Sequence, residues 1–274
     1  MPELPEVETI VRDLRSSLAG RRFVAGRLSH DDVLRGVTRR SLLAGLRNAT
    51  VLELTRRAKH AVIVTDRGRL VVQPGMTGSL MILDRPLTPE ERRYAVLQLS
   101  QDDGRTLVYR DVRRLGTLLW LGDEGWKKYD QAIGPEPLDR RFTGKAFHLI
   151  LQGSRAAVKK VLMDQRAIAG VGNIYANEAL FASGIDPSKP ARDVTPARAV
   201  RLRRELVRIL QAAIRSKGST VRDYRTGTGT KGNFQLELLV YGREGEPCVR
   251  CGATLAGTHA IDARITVFCH RCQS

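Results

Sequence analysis

The pattern of apolar and polar positions changes near residue 20 and again near residue 134. From 5 to 19, Val7, Ile10, Val11, Leu14 and Leu18 recur at helical spacing and Gly20 ends the run. The spacing predicts an amphipathic helix. Glu3 and Glu6 lie at its start, where the helix dipole favours negative charge. From about 22 to 122 the chain breaks into short β-rich runs, at 51–55, 61–65, 69–73, 94–99, 106–110 and 117–121. Asp66-Arg67-Gly68 and Asp102-Asp103-Gly104 supply turn signals. Many short strands at this spacing predict a β-sandwich. Gly134-Pro135-Glu136-Pro137 marks a boundary. Helical periodicity follows at 156–165, 173–182 and 196–216, and a strand-like run at 234–241. The expected architecture is α+β and multidomain: a sandwich domain over 1–134 with its flanking helix, a linker over 135–150, a helical domain over 151–233 and a cysteine module over 234–274.

Composition adds a partner to this outline. Lys and Arg total 46 against 29 Asp and Glu, for a net charge of +17 and a pI near 10.5. Such a balance points to a polyanion, with nucleic acid ahead of an anionic membrane surface. No apolar run approaches membrane-spanning length and no signal-peptide pattern opens the chain. A soluble, intracellular protein is expected, with no membrane partner.

All four cysteines fall in the last 27 residues, as Cys248-x2-Cys251 and Cys269-x2-Cys272 with seventeen residues between the pairs. Paired thiolates two residues apart suit a tetrahedral zinc ion, and the spacing lies in the structural-zinc range. Disulfides are the alternative, and they suit secreted chains. Four committed thiolates leave the metal no open position, so one structural zinc ion is expected.

The first residues, Met1-Pro2-Glu3-Leu4-Pro5-Glu6, carry the clearest chemistry. Loss of Met1 would leave Pro2 as a secondary amine with the Glu3 carboxylate beside it. A terminal amine titrates near about 8, below lysine at about 10.4, so more of it is nucleophilic at neutral pH. Such amines form Schiff bases. The competing reading is that Pro2 and Pro5 only begin a helix. Residues 217–233, with Gly218, Gly227, Gly229 and Gly232, cannot pack a core of their own, and a long loop of this kind is functional or disordered.

These features converge on a known family. MPELPEVET at the start, RRAKH at 56–60, GMTGSL at 75–80, DVRRLG at 111–116, GPEPL at 134–138, LMDQ at 162–165, GVGNIYANEALF at 170–181, VYGREGEPC at 240–248 and the four-cysteine finger occur in one order. The chain resembles the bacterial formamidopyrimidine-DNA glycosylases, repair enzymes of the helix–two-turn–helix class. The resemblance implies a glycosylase with AP-lyase activity that removes 8-oxoguanine and formamidopyrimidines from double-stranded DNA as a monomer. It makes Pro2 the Schiff-base nucleophile and Glu3 the acid that opens the sugar ring. Lys59 would move a proton in β-elimination, against a plain reading as an exposed lysine in a basic turn. Arg264 would serve δ-elimination and phosphate contact, with Arg271 as a less favoured substitute.

By the same resemblance Met76, Arg113 and Leu115 form a wedge that fills the gap left by the extruded base. Leu115 stands where the family usually has phenylalanine, and Val112 where it usually has proline. The alternative is that Met76 and Leu115 are core residues. Arg92, Arg155, Lys159 and Asn173 match DNA-contacting positions, Asn173 at a helix N-terminus suited to phosphate. The 217–233 loop would close over the flipped base. Two other readings are a sister enzyme for oxidised pyrimidines, against which Leu4 and the complete loop argue, and a non-catalytic zinc-finger binder of damaged DNA.

Overall fold

The computed structural model describes residues 2–219, 227, 229–230 and 232–274. The chain forms two compact units, Met1–Gln131 with Ser216–Gln235, and Ala132–Arg215 with Leu236–Ser274. The described residues of 216–233, expected with the helices, therefore cluster with the first unit, as do Phe234 and Gln235, expected with the cysteine module.

In the first unit, helix α1 (Leu4–Leu18) precedes strand β1 (Phe23–Leu28), helix α2 (Arg39–Leu46) and strands β2 (Val51–Arg57), β3 (His60–Thr65), β4 (Gly68–Gln73) and β5 (Gly78–Leu83). Helix α3 (Pro89–Tyr94), strands β6 (Ala95–Gln101), β7 (Thr106–Asp111) and β8 (Thr117–Leu121), and helix α4 (Asp123–Gln131) follow. The strands form two antiparallel sheets, in the orders β1-β6-β7-β5 and β2-β3-β4-β8. Leu54, Ile63, Leu70 and Val72 of one sheet share a core with Leu80, Leu97, Leu99 and Leu107 of the other. The sheets are therefore the two layers of a sandwich. Val7, Ile10, Val11, Leu14 and Leu18 of α1 enter the same core. Each such side chain contributes about 1.5–3 kcal/mol on burial, which fixes the helix and the residues at its start.

The second unit contains helices α5 (Gly144–Gln152), α6 (Val158–Met163), α7 (Asn173–Ser183) and α8 (Pro196–Arg215), then strands β9 (Ala256–Thr258) and β10 (Thr266–Phe268). All of α7 is buried. It packs against α6 and α8, and α5 packs against α8. Helix α8 turns Leu202, Leu206, Ile209 and Leu210 inward and leaves Arg201, Arg204, Arg208 and Arg215 exposed. Gln165 pins the turn between α6 and α7: its Nε2 donates to the Met163 and Val171 carbonyls at 2.9 and 2.8 Å, and its Oε1 accepts from the Gly170 N–H at 2.8 Å.

Two expectations need correction. The expected linker contains most of α5, whose first turn is capped by the Thr143 hydroxyl accepting from Ala146 N–H at 3.2 Å. The run at 234–241 is not a strand. Phe234–Glu237 is a 3-10 turn, and the N–H groups of Leu239, Val240 and Tyr241 converge on the Glu178 carboxylate at 3.0, 2.9 and 2.8 Å. A carboxylate from α7 satisfies these donors in place of a neighbouring strand.

Candidate active site and metal centre

Pro2 and Glu3 are buried at the start of α1. The backbone N–H of Glu3 donates to Oε2 of Glu6 at 2.8 Å, and Oε1 of Glu6 accepts from Ser219 N–H at 2.8 Å. Glu6 thus joins the residue beside Pro2 to the first turn of the glycine-rich segment. Asn233 N–H donates to the Ser216 carbonyl at 2.9 Å and Phe234 N–H to the Gly218 carbonyl at 3.1 Å, closing the base of that segment. Residues 220–226, 228 and 231, which carry most of the expected lesion-capping loop, lie outside the described residues.

Lys59 occupies the turn between β2 and β3. It is only 4% exposed, which corrects the reading of it as a solvated lysine. Ala58 before it adopts a left-handed conformation with φ 51°. The Arg56 guanidinium holds this turn, donating from Nη1 to the Ala58 carbonyl at 2.9 Å and from Nε to Oε2 of Glu8 at 3.0 Å. Glu8 belongs to α1, so one ion pair links the helix that bears Pro2 and Glu3 to the turn that bears Lys59. Burial pushes the Glu8 carboxyl up, but Arg12 and Arg56 outweigh it and leave it below the ordinary range. On the far side of the turn, Arg57 Nε meets Oδ1 of Asp130 at 2.5 Å and the Tyr129 hydroxyl pairs with Nδ1 of His60 at 3.0 Å. Burial pushes the Tyr129 hydroxyl up to about 12, against the opposing charge of Arg57.

Met76, Arg113 and Leu115 lie on two adjoining loops of the same unit. Met76 is 39% exposed and Leu115 50%, so neither is a core residue. Arg113 Nη1 approaches the Met76 sulfur at 3.7 Å, which brings two of the three together. Arg92 is exposed on α3.

In the second unit Arg155 and Arg264 are exposed. Lys159 is not. The resemblance puts it near DNA, yet it is 0% exposed and donates from Nζ to the Thr266 hydroxyl at 2.7 Å and the Ile265 carbonyl at 3.3 Å. Asn173 opens α7 and donates from Nδ2 to that same carbonyl at 3.1 Å. Asn177, one turn on, accepts from Val267 N–H at 3.0 Å. These three side chains fix the segment that follows Arg264.

The sulfurs of Cys248, Cys251, Cys269 and Cys272 all lie within 4.8 Å of one another. The Cys248–Cys272 and Cys251–Cys269 separations are 3.9 and 3.5 Å. A disulfide needs about 2.05 Å. A tetrahedron with zinc–sulfur bonds of about 2.3 Å has edges of about 3.8 Å, which these separations match. The Arg250 N–H points at the Cys248 sulfur at 3.4 Å. Burial raises Cys248, but the surrounding N–H groups and neighbouring thiols outweigh it and bring it to about 7.

Three supports in these sites were not anticipated: Glu178, Gln165 and the Glu8–Arg56 pair. Glu178 and the Glu8–Arg56 pair act on groups distant in sequence, and Gln165 ties together the turn it belongs to, so apolar periodicity carries no sign of them. Glu6 was more accessible, since an acid three positions after a helix cap is a capping-box signal.

Comparison with known proteins agrees with this geometry. Residues 1–118 match the model of the formamidopyrimidine-DNA glycosylase N-terminal domain, and 133–225 that of the formamidopyrimidine-DNA glycosylase H2TH domain. A formamidopyrimidine-DNA glycosylase from Xanthomonas oryzae pv. oryzae is 44% identical over 275 residues, covering 100% of both chains. The MutM (Fpg) protein from Thermus thermophilus superposes with a TM-score of 0.86 at 38% identity, over 99% of this chain and 98% of that one. A Lactococcus lactis Fpg variant in complex with Fapy-dG-containing DNA gives a TM-score of 0.90 at 32% identity, covering 100% of both chains. With both domain models matched in order and a full-length relative at this identity, the chain belongs to the formamidopyrimidine-DNA glycosylase family.

Proposed function

We propose that the chain is a bifunctional DNA glycosylase and AP lyase of base excision repair. It removes oxidised purines, formamidopyrimidines and 8-oxoguanine, from double-stranded DNA and acts as a monomer. The observation that carries this reading is the Glu8–Arg56 ion pair at 3.0 Å, which tethers the buried Lys59 turn to the helix bearing Pro2 and Glu3. A base-excising amine, its acid and a proton-transfer lysine need a common rigid frame. The Lactococcus lactis relative, solved with DNA containing Fapy-dG, supports the purine substrate.

In this mechanism the Pro2 nitrogen, freed by loss of Met1, attacks C1′ and the base leaves as its bond to C1′ breaks. Glu3 supplies the proton that opens the sugar ring. The resulting iminium ion acidifies C2′, and Lys59 takes part in the proton transfer by which the 3′ phosphate is eliminated. Arg264 holds phosphate and assists the second elimination. Met76, Arg113 and Leu115 fill the duplex gap, while Arg92, Arg155 and Asn173 steady the backbone. The buried ammonium of Lys159 acts on the finger and not on phosphate. Cys248, Cys251, Cys269 and Cys272 would hold one zinc ion, which supplies structure to the finger that presents Arg264.

Borohydride trapping on an 8-oxoguanine duplex tests the reading. The unmodified protein should form a covalent adduct, and Pro2→Gly and Lys59→Ala should lose it or cut far more slowly. A preference for thymine glycol over 8-oxoguanine would assign the protein to oxidised pyrimidines instead. No adduct at all would leave a non-catalytic binder of damaged DNA.

A further inference from the structure

The loop carrying Met76 and the loop carrying Arg113 and Leu115 are joined through one buried carboxylate. Asp111 ends β7 and is 1% exposed. Its Oδ1 accepts from the Thr77 hydroxyl at 2.5 Å. Its Oδ2 accepts from the Gly116 N–H at 2.8 Å and the Tyr109 hydroxyl at 3.1 Å. The Thr77 oxygen in turn accepts from the Arg113 N–H at 2.9 Å. Thr77 follows Met76 and Gly116 follows Leu115, so each of the three exposed side chains is one residue or less from a bond in this network.

The two backbones touch. A Cβ on Gly116 would lie 1.9 Å from the Tyr109 hydroxyl, and one on Gly75, at φ 63°, would lie 2.5 Å from the Gly116 nitrogen. Only glycine permits this approach. Burial first, and the Asp111 charge second, hold the Tyr109 hydroxyl well above its ordinary range, so it remains a donor.

A buried carboxylate is costly unless its lone pairs are engaged. If the site required packing alone, an apolar side chain would serve better. An ionised carboxylate is an acceptor only, and here it gathers three donors from three segments. Such a group sets the distance between the two loops, whose tips at Met76 and at 112–115 are exposed.

We propose that Asp111 is a positioning residue for base extrusion. It locks the Met76 loop to the Arg113–Leu115 loop, so that the three side chains enter the duplex as one rigid wedge. This rests on the reading of the chain as a glycosylase that extrudes its target base. Asp111 itself does not touch DNA. Rigidity matters most here because Leu115 must hold by shape a gap in which an aromatic ring could stack.

The test compares single-turnover excision of 8-oxoguanine from a fully paired duplex with excision of the same lesion placed opposite a missing nucleotide, where little extrusion is required. Asp111→Asn and Thr77→Val should each slow the paired reaction about tenfold or more, the scale of one hydrogen bond to a charged group. The pre-opened reaction should change far less, and Thr77→Ser should restore the normal ratio. If Asp111→Asn does not fold, the Thr77 variants decide alone. Equal losses on both substrates, or none on the paired one, would overturn the proposal while the glycosylase reading stands. Absence of a borohydride adduct with the unmodified protein would instead remove the glycosylase reading and this one with it.

Discussion

Lys159 donates its ammonium to the Thr266 hydroxyl at 2.7 Å, across 107 positions of sequence. Its second bond, to the Ile265 carbonyl, is shared with Asn173 and lies immediately after the exposed Arg264. The buried cation therefore braces the segment that follows Arg264. Each Lys or Arg that neutralises a phosphate steepens the dependence of binding on salt by roughly one unit of slope. Arg264→Ala and Arg155→Ala should each reduce that slope by about one. Lys159→Met should leave the slope unchanged and lower unfolding stability by about 1–3 kcal/mol, because polar partners lose a charged donor. Fluorescence anisotropy over a salt series and urea denaturation measure the two effects. A shallower slope with undiminished stability in Lys159→Met would place that ammonium on DNA.

Glu178 is the second long-range support. Its carboxylate accepts three consecutive N–H groups, from Leu239, Val240 and Tyr241, where the chain enters the cysteine module. Burial pushes its carboxyl up while these donors pull it down. Glu178→Gln replaces one acceptor oxygen by an NH2 group, so at least one buried N–H loses its partner. The cost should be about 1–3 kcal/mol. Hydrogen exchange should show it as faster opening at 239–241, with the sandwich amides unaffected.

These supports mark the limit of what the sequence discloses. The strand runs of β2, β3, β4, β6, β7 and β8 were legible because their apolar positions reach a shared core. Helix α1 was legible for the same reason. Strand β5 is hard to read because it opens inside the glycine-bearing GMTGSL stretch, and α4 because Trp126 and Tyr129 are its only large apolar residues. The alternation Phe234, Gln235, Leu236, Glu237 imitates a strand, but the donors that follow are claimed by Glu178. The cysteine cluster was visible from spacing alone. The burial of Lys59 and Lys159 was not, since Arg56 and Arg57 beside one, and Lys160 beside the other, suggest a solvated surface.

The Glu8–Arg56 pair carries a pH signature. The Glu8 carboxyl sits below its ordinary value of 4.5 in the folded protein, with burial opposing and Arg12 and Arg56 prevailing. An acid held lower when folded stabilises the fold above its unfolded pKa, and that contribution disappears as pH falls through the folded value. Glu8→Gln should therefore lower the melting temperature at about pH 6, and the difference from the unmodified protein should shrink toward about pH 3. A constant difference over that range would show that the charge of Glu8 contributes nothing. Because the pair holds the Lys59 turn, the same substitution should slow strand cleavage more than base release.

The finger offers the sharpest separation between the two units. Its small core consists of Phe181, Val240, Leu255 and Val267 together with Cys248 and Cys269, so two of the proposed metal ligands are also core residues. Arg250 adds a seam, donating to the Phe181 and Ala182 carbonyls at 2.8 and 3.2 Å with its guanidinium 4.3 Å from the Phe181 ring. In sites of this kind metal binding is itself folding energy. A strong chelator should release about one equivalent of zinc per chain. It should also abolish specific DNA binding and expose the amides of 248–272 to exchange. The sandwich, whose core includes no cysteine, should keep its melting transition. Cys269→Ala should reproduce the chelated state. Retention of tight DNA binding by a fully metal-free protein would show that the finger is held by its apolar contacts and not by an ion.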